Sequence, residues 1–124
     1  MAKPVTHAWG KVEATGYTKI DNIAARDRHP IADLVPTVGE PGPHPTEQNT
    51  SHPHHIPYDP NGRFFVLPDK GFDRVFSYRL DPATGKILEG EPPSVQARAG
   101  AAPRHAAFSS DAQRCYVNNE IDST

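Results

Sequence analysis

Two stretches decide the reading of this chain: PHHIPYDPNGRFFVLPD, Pro53 to Asp69, and PRHAAFSSDAQRCYVNN, Pro103 to Asn119. They align without a gap at an offset of fifty residues. Pro53 meets Pro103, His55 meets His105, and Tyr58 meets Phe108, an aromatic for an aromatic. The turn Asp59-Pro60-Asn61-Gly62 meets Ser109-Ser110-Asp111-Ala112, and Val66-Leu67 meets Tyr116-Val117. Few identities survive, but the order of apolar, turn and apolar residues is kept. Each copy predicts a β-hairpin: a short strand up to the aromatic, a tight turn, then a β-rich run such as Arg63-Phe64-Phe65-Val66-Leu67.

Working outward from the first copy, Phe76, Tyr78 and Leu80 alternate with Ser77 and Arg79, the pattern of a half-buried strand. Asp81 to Lys86 reads as a second turn, and Ser94 to Arg98 as a weaker outer strand. Four strands in a repeat of about fifty residues is the period of a β-propeller blade. The predicted fold class is all-β: a β-propeller fragment of about one to two four-stranded blades. Residues 51–102 are expected to form one blade, and 103–124 the first hairpin of the next, with the third strand due where Ile121-Asp122-Ser123-Thr124 stands. Residues 1–50 read as an irregular Pro/Gly-rich segment that holds, at most, outer strands of a preceding blade. Within it, Gly16 to Ile20 suggests a strand, Asn22 to Arg28 a helical turn, and Val35 to Thr50 a long surface loop.

Composition narrows the function. The chain has 124 residues, 35% hydrophobic, with 14 prolines and 9 glycines, which signals turns and irregular segments rather than long helices. A formal net charge of -2 argues against a nucleic-acid partner, which calls for a basic face. No apolar run has the length of a membrane helix, and the first residues lack a signal-peptide core, so a soluble, cytoplasmic setting is the expectation. The single cysteine, Cys115, excludes an internal disulfide framework and reads as a small buried hydrophobe.

The repeat also selects candidate residues. His54 and Arg104 occupy the same position at the start of the inner strand in successive copies, so both face the same mouth of a central channel. Glu120 follows the second strand of the second hairpin, about as far from its tip as Arg104, so the two lie at the same end of adjacent antiparallel strands. Arginine offers a permanent forked donor to an anion or a developing oxyanion. Glutamate or histidine can activate a water. The plainer alternative is a cross-strand ion pair between Arg104 and Glu120, with His54 a satisfied loop histidine. Asp69 and Asp73-Arg74 flank a turn and read as structural. His52-Pro53-His54-His55, with His44 and Glu47 upstream, contains a His-x-His pair, but no further ligand stands at a compelling spacing, so no metal is expected.

Ser51 to Ile87 and Ala102 to Thr124, with HPHH, PDKGFDRV, PRH and NE followed by ST in that order, resemble the lactonase family of seven-bladed propellers, which includes 6-phosphogluconolactonases and carboxy-muconate cyclases. The resemblance implies an enzyme of the lactonase, carboxylic ester hydrolase type. Its leading substrate is 6-phosphogluconolactone of the pentose phosphate route, and it needs no cofactor. A lactone-forming cyclase and a non-catalytic binding scaffold are the alternatives. The resemblance carries the family's channel-mouth histidine, arginine and glutamate onto His54, Arg104 and Glu120 as catalytic residues, with a further arginine falling beyond Thr124. A whole member needs about 350 residues at this blade length. Three positions depart from the pattern: Ala102 stands for a usual glycine, the turn 109–112 for a His-Pro-Asp-Gly type, and Pro57 for an apolar strand residue. Because repeat units need neighbours to bury their faces, the 124-residue chain expressed alone is expected to be poorly folded and inactive. Lactone turnover by the pure chain would contradict that.

Overall fold

The computed structural model describes residues 33–124, which contain five strands and no helix. The strand and the helical turn expected within residues 16–28 lie outside them. Strands β1 (Phe65–Asp69), β2 (Arg74–Leu80) and β3 (Ile87–Gln96) form an antiparallel sheet in that order, and β4 (Pro103–Phe108) pairs with β5 (Cys115–Asn119) in a second. No helix among the described residues is long and apolar enough to cross a membrane.

The fifty-residue offset is written into the backbone. Gly62 and Ala112 take φ of 65° and 57°, the left-handed region that a tight turn demands. Gly62 N donates to Asp59 O at 2.8 Å, and Ala112 N donates to Ser109 O at 2.9 Å. At the mouths of the two turns, Asp59 N donates to Phe64 O and Ser109 N to Arg114 O, both at 2.9 Å. In each copy the first turn residue also ties the turn with its side chain. The Asp59 carboxylate accepts from Asn61 N at 3.2 Å and Phe64 N at 3.0 Å, and Ser109 Oγ accepts from Arg114 N at 3.0 Å. The serine turn therefore keeps the geometry of the aspartate turn it replaces. Asp73 and Ser123, again fifty apart, also share a positive φ, 51° and 57°.

The two inner strands differ. In the second copy it is β4. In the first, residues 53–58 run beside β1 but bridge it only at Pro53↔Asp69 and Tyr58↔Phe65. His54 N donates to Pro68 O at 3.0 Å and Val66 N to Pro57 O at 3.2 Å, whereas Pro53 and Pro57 have no N–H to give. The expected continuous strand is thus an interrupted one.

The outer strand is longer than expected. β3 begins at Ile87, directly after a turn closed by Asp81 N donating to Lys86 O at 2.8 Å, and it ends at Gln96 rather than Arg98. Phe65, Phe76 and Tyr78 form the buried core, with Val35, Ile56, Leu67, Phe72 and Ile87 packed around them. Leu80, expected on that face, is 44% exposed: it is the last residue of β2, paired with Ile87 next to the β2–β3 turn, where Arg79 is exposed as well. Cys115 is exposed, not buried: β5 has β4 as its one neighbour, and its residues range from exposed to half-buried.

Residues 33–50 carry no strand, and the rest of the 1–50 segment considered for outer strands lies outside the described residues. Nor is the segment only a surface loop. Thr37 and Gln48 are buried, as is Ser51 just after the segment: Thr37 Oγ1 lies 2.6 Å from Ser51 Oγ, Ser51 reaches the buried carboxylate of Asp69 at the end of β1, and Gln48 that of Asp73 in the β1–β2 turn. Asp69 Oδ1 accepts from His52 N at 2.8 Å, Gly71 N at 2.9 Å and Phe72 N at 3.2 Å, while Ser51 Oγ donates to Oδ2 at 2.6 Å. Asp73 Oδ1 accepts from Gln48 Nε2 at 2.6 Å and Ala102 N at 2.7 Å, and Oδ2 from Gly100 N at 2.7 Å. A buried carboxylate is tolerable only when donors satisfy it in this way. Gly71 is required by contact, since a Cβ there would run into the Thr50 carbonyl oxygen.

Asp73→Ala leaves three donors without their acceptor, so it should destabilise the protein by about 3 kcal/mol or more. Ala102 is fully buried at φ 58°, a conformation that favours glycine. Ala102→Gly should stabilise by up to about 1 kcal/mol, since the relief of left-handed strain outweighs the added freedom of the unfolded chain. Denaturant melts of the two variants and the parent protein check both signs.

Candidate active site

The polar cluster forms where the inner strand of one copy meets that of the next. Asp69 fixes the backbone at His52, two residues before His54, and Asp73 fixes Ala102, two residues before Arg104. Equivalent positions then fall side by side. His54 and Arg104, fifty apart, are hydrogen-bonded: Arg104 Nε donates to His54 Nε2 at 2.9 Å. Lys70 and Glu120, also fifty apart, are ion-paired, with Nζ donating to Oε2 at 3.3 Å. Glu120 directly follows β5, and its N–H donates to Ala102 O at 2.9 Å, as Lys70 N donates to His52 O at 3.1 Å in the preceding copy.

A register shift between Pro103 and His105 leaves Arg104 in a bulge on β4. Bulges re-aim side chains, and this one directs the guanidinium at both His54 and Glu120. The Arg104 Nε to Glu120 Oε2 distance is 3.3 Å. The structure therefore brings the three sequence-selected residues together. Arg104 is engaged through Nε alone, and its two terminal amino groups have no hydrogen-bond partner among the described residues. Both side chains of this ion pair remain about one-third or more exposed, a setting where such pairs stabilise by only about 0–1 kcal/mol.

The bond from Arg104 fixes the state of His54. A ring nitrogen that accepts from Nε–H cannot itself carry a proton, so His54 is neutral with its proton on Nδ1. Partial burial, then the charge of Arg104, hold its pKa below the usual histidine value, and Glu120 opposes the shift. The other histidines have separate partners. His55 Nδ1 accepts from Ala106 N at 3.2 Å, pinning the inner edge of β4, and the His105 ring lies edge-on to both His54 and His55, at 4.8 and 5.4 Å. His44 Nδ1 accepts from Glu47 N at 3.2 Å, and His52 Nε2 lies 3.3 Å from Asn49 Oδ1. No group of three His, Cys, Asp or Glu side chains among the described residues is arranged to hold a metal ion.

Lys70 is the member that the sequence reading missed. Its side chain is 12% exposed, and its Nζ donates to Glu47 Oε2 at 2.7 Å as well as to Glu120. Burial alone lowers a lysine pKa, but the hydrogen bonds to Glu47 and Glu120 outweigh it and leave Lys70 above its ordinary value. The signal that could have found it is the repeat itself, which sets Lys70 opposite Glu120 as it sets His54 opposite Arg104. A separate groove lined by Phe64, Ser77, Arg79, Glu89, Gly90 and Glu91 lies at the other end of β1 and shares no residue with this cluster.

A family model described as a lactonase, seven-bladed β-propeller, matches residues 15–124. The chain is 29% identical over 123 residues to a probable 6-phosphogluconolactonase of Arthroderma benhamiae, covering 97% of this chain and 30% of that one. It is 35% identical over 72 residues to the 6-phosphogluconolactonase of Yersinia enterocolitica, covering 58% of this chain and 21% of that one. Among solved structures, the periplasmic gluconolactonase of Pseudomonas aeruginosa superposes with a TM-score of 0.62 at 29% identity, over 79% of this chain and 27% of that one. A protein from Lactobacillus plantarum superposes at 0.64 and 32% identity, over 80% and 27%. The chain thus spans less than a third of the length of each relative named.

The lowered His54 pKa has a definite pH consequence. A histidine whose folded pKa lies below its unfolded value stabilises the fold above the unfolded value, about 6.5, and loses that contribution as pH falls through the folded value. An NMR titration of the His54 ring should give a midpoint below that of an exposed histidine, and Arg104→Gln should move it upward. An unchanged midpoint in the variant would contradict the coupling.

Proposed function

The chain belongs to the lactonase family of seven-bladed β-propellers, and from that premise we propose that it is the part of a sugar lactonase that carries the first half of the active site. Residues 51–102 are one blade on this reading, and 103–124 the opening hairpin of the next. The reaction is hydrolysis of a sugar lactone, with 6-phosphogluconolactone to 6-phosphogluconate the leading case. That preference is supported by the names of the fungal and bacterial relatives.

The observation that carries the proposal is the attachment of Arg104. Held through Nε by His54 and flanked by Glu120, it keeps two terminal amino groups without a hydrogen-bond partner among the described residues. A fork of this kind is suited to the oxygen that becomes negative when water adds to a lactone carbonyl, or to the substrate's own anionic group. Among the described residues, Glu120 Oε1 has no bonding partner, since its contacts to Lys70 and Arg104 both fall on Oε2. Oε1 is the atom placed to accept a proton from the attacking water. His54 donates nothing to the substrate through Nε2. It orients Arg104. When the tetrahedral intermediate collapses, the ring C–O bond breaks, the leaving alkoxide oxygen takes back the proton held by Glu120, and the new carboxylic acid gives its remaining proton to solvent and departs as the open-chain carboxylate.

In a chain extended to the full length of its relatives, Arg104→Gln should lower kcat/KM for 6-phosphogluconolactone about 100-fold or more, the usual effect of removing an oxyanion donor. Glu120→Gln should lower kcat by a similar factor. Stopped-flow measurement against the spontaneous hydrolysis rate checks both. Values within threefold of the parent enzyme would contradict the assignment.

A further inference from the structure

Arginine and carboxylate side chains that meet frequently close into a two-point pair of parallel N–H···O bonds. Arg104 and Glu120 do not. Their ion pair is Nε to Oε2 at 3.3 Å, with no hydrogen bond between the two side chains. Two neighbours account for this. His54 takes the Nε–H of Arg104, and Lys70 donates to the same Glu120 oxygen that faces Arg104.

Lys70 is held firmly enough to do so. It directly follows β1, its backbone N–H is tied to His52 O, and its ammonium is clamped at 2.7 Å by Glu47 from the Pro-rich segment. That segment is fixed in turn by Gln48, whose side chain donates to the Lys70 carbonyl at 2.8 Å and to Asp73 at 2.6 Å. The Lys70 side chain is 12% exposed and that of Glu120 34%, so solvent screens their attraction in part, and it is the Glu47 clamp that fixes where the ammonium sits.

We propose that Lys70 is a positioning residue that holds Oε2 of Glu120 away from the Arg104 fork, and thereby keeps the terminal amino groups of Arg104 open to an anionic or oxyanionic oxygen of the substrate. This extends the lactonase reading of the same site and rests on it for its kinetic consequence, though not for its structural one. Without the ammonium, the nearest cation for Glu120 is Arg104, and the carboxylate closes over the fork it now leaves free. Glu47, weighed in the sequence only as a neighbour of the histidine pair, becomes an indirect support of the site.

The test is a crystal structure and a kinetic comparison of the extended chain carrying Lys70→Met, which keeps the length of the side chain and removes its charge, and Lys70→Arg, which keeps the charge. The expected result for Lys70→Met is a two-point Arg104–Glu120 pair, a fall in kcat/KM of about 10- to 100-fold with the loss concentrated in KM, and recovery of most of it in Lys70→Arg. If Glu120 keeps its single contact to Nε in Lys70→Met, the proposal is overturned whatever the kinetics show. Equal losses in both variants also overturn it, since that pattern means a packing role. If the parent chain does not turn over the lactone, the functional reading fails separately, and the position of Glu120 still decides the role of Lys70.

Discussion

The buried carboxylate of Asp73 is the constraint on which the rest of this structure depends. It sits in the β1–β2 turn of one repeat, yet two of its three donors, Gly100 N and Ala102 N, belong to the backbone that leads into the next repeat. The third, Gln48 Nε2, belongs to the Pro-rich segment that precedes both. One charge thus sets the spacing between two hairpins and the placement of a loop that has no regular structure of its own. A carboxylate 2% exposed is stable only while all of these donors stay in place, so the arrangement is cooperative. Asp69 does the same within the first repeat by fixing Ser51 and the His52 backbone.

The candidate site follows from this placement. Once His52 and Ala102 are fixed, positions 54 and 104 must lie side by side, and so must 70 and 120. The site is a junction between consecutive copies, and its two repeat-related contacts each join residues fifty apart. The four side chains carry alternating properties: a neutral histidine, a cationic arginine, an anionic glutamate and a cationic lysine. Each therefore has an attractive neighbour while the outer nitrogens of Arg104 and one oxygen of Glu120 remain available.

Much of this was legible in the sequence, for a physical reason. Turn geometry is local, so Asp59 to Gly62 and Ser109 to Ala112 announced both hairpins, and alternation in 76–78 announced β2. The repeat then put His54, Arg104 and Glu120 at one end. What it did not reveal depended on contacts between distant segments. Pro53 and Pro57 weakened the first inner strand by removing donors, which local pattern alone does not weigh against pairing with β1. The outer strand extended back to Ile87 because β2 pairs with residues 87–89 as well as 94–96, and residues 90–93, with both Pro92 and Pro93, fall in the irregularity between them. Cys115 looked buried because its neighbours are apolar, yet burial needs a covering layer rather than an apolar sequence. Lys70 went unnoticed because a lysine beside a glycine turn looks solvated until Glu47 and Glu120 are brought to it.

The central claim is that the terminal amino groups of Arg104 receive the substrate. The most direct measurement is a crystal structure of the chain at the full length of its relatives, soaked with 6-phosphogluconate, the product of the proposed reaction. The account predicts a carboxylate or phosphate oxygen within hydrogen-bond distance of the Arg104 terminal nitrogens, with Glu120 still held by Lys70. Product bound elsewhere, with the Arg104 fork untouched, would contradict it.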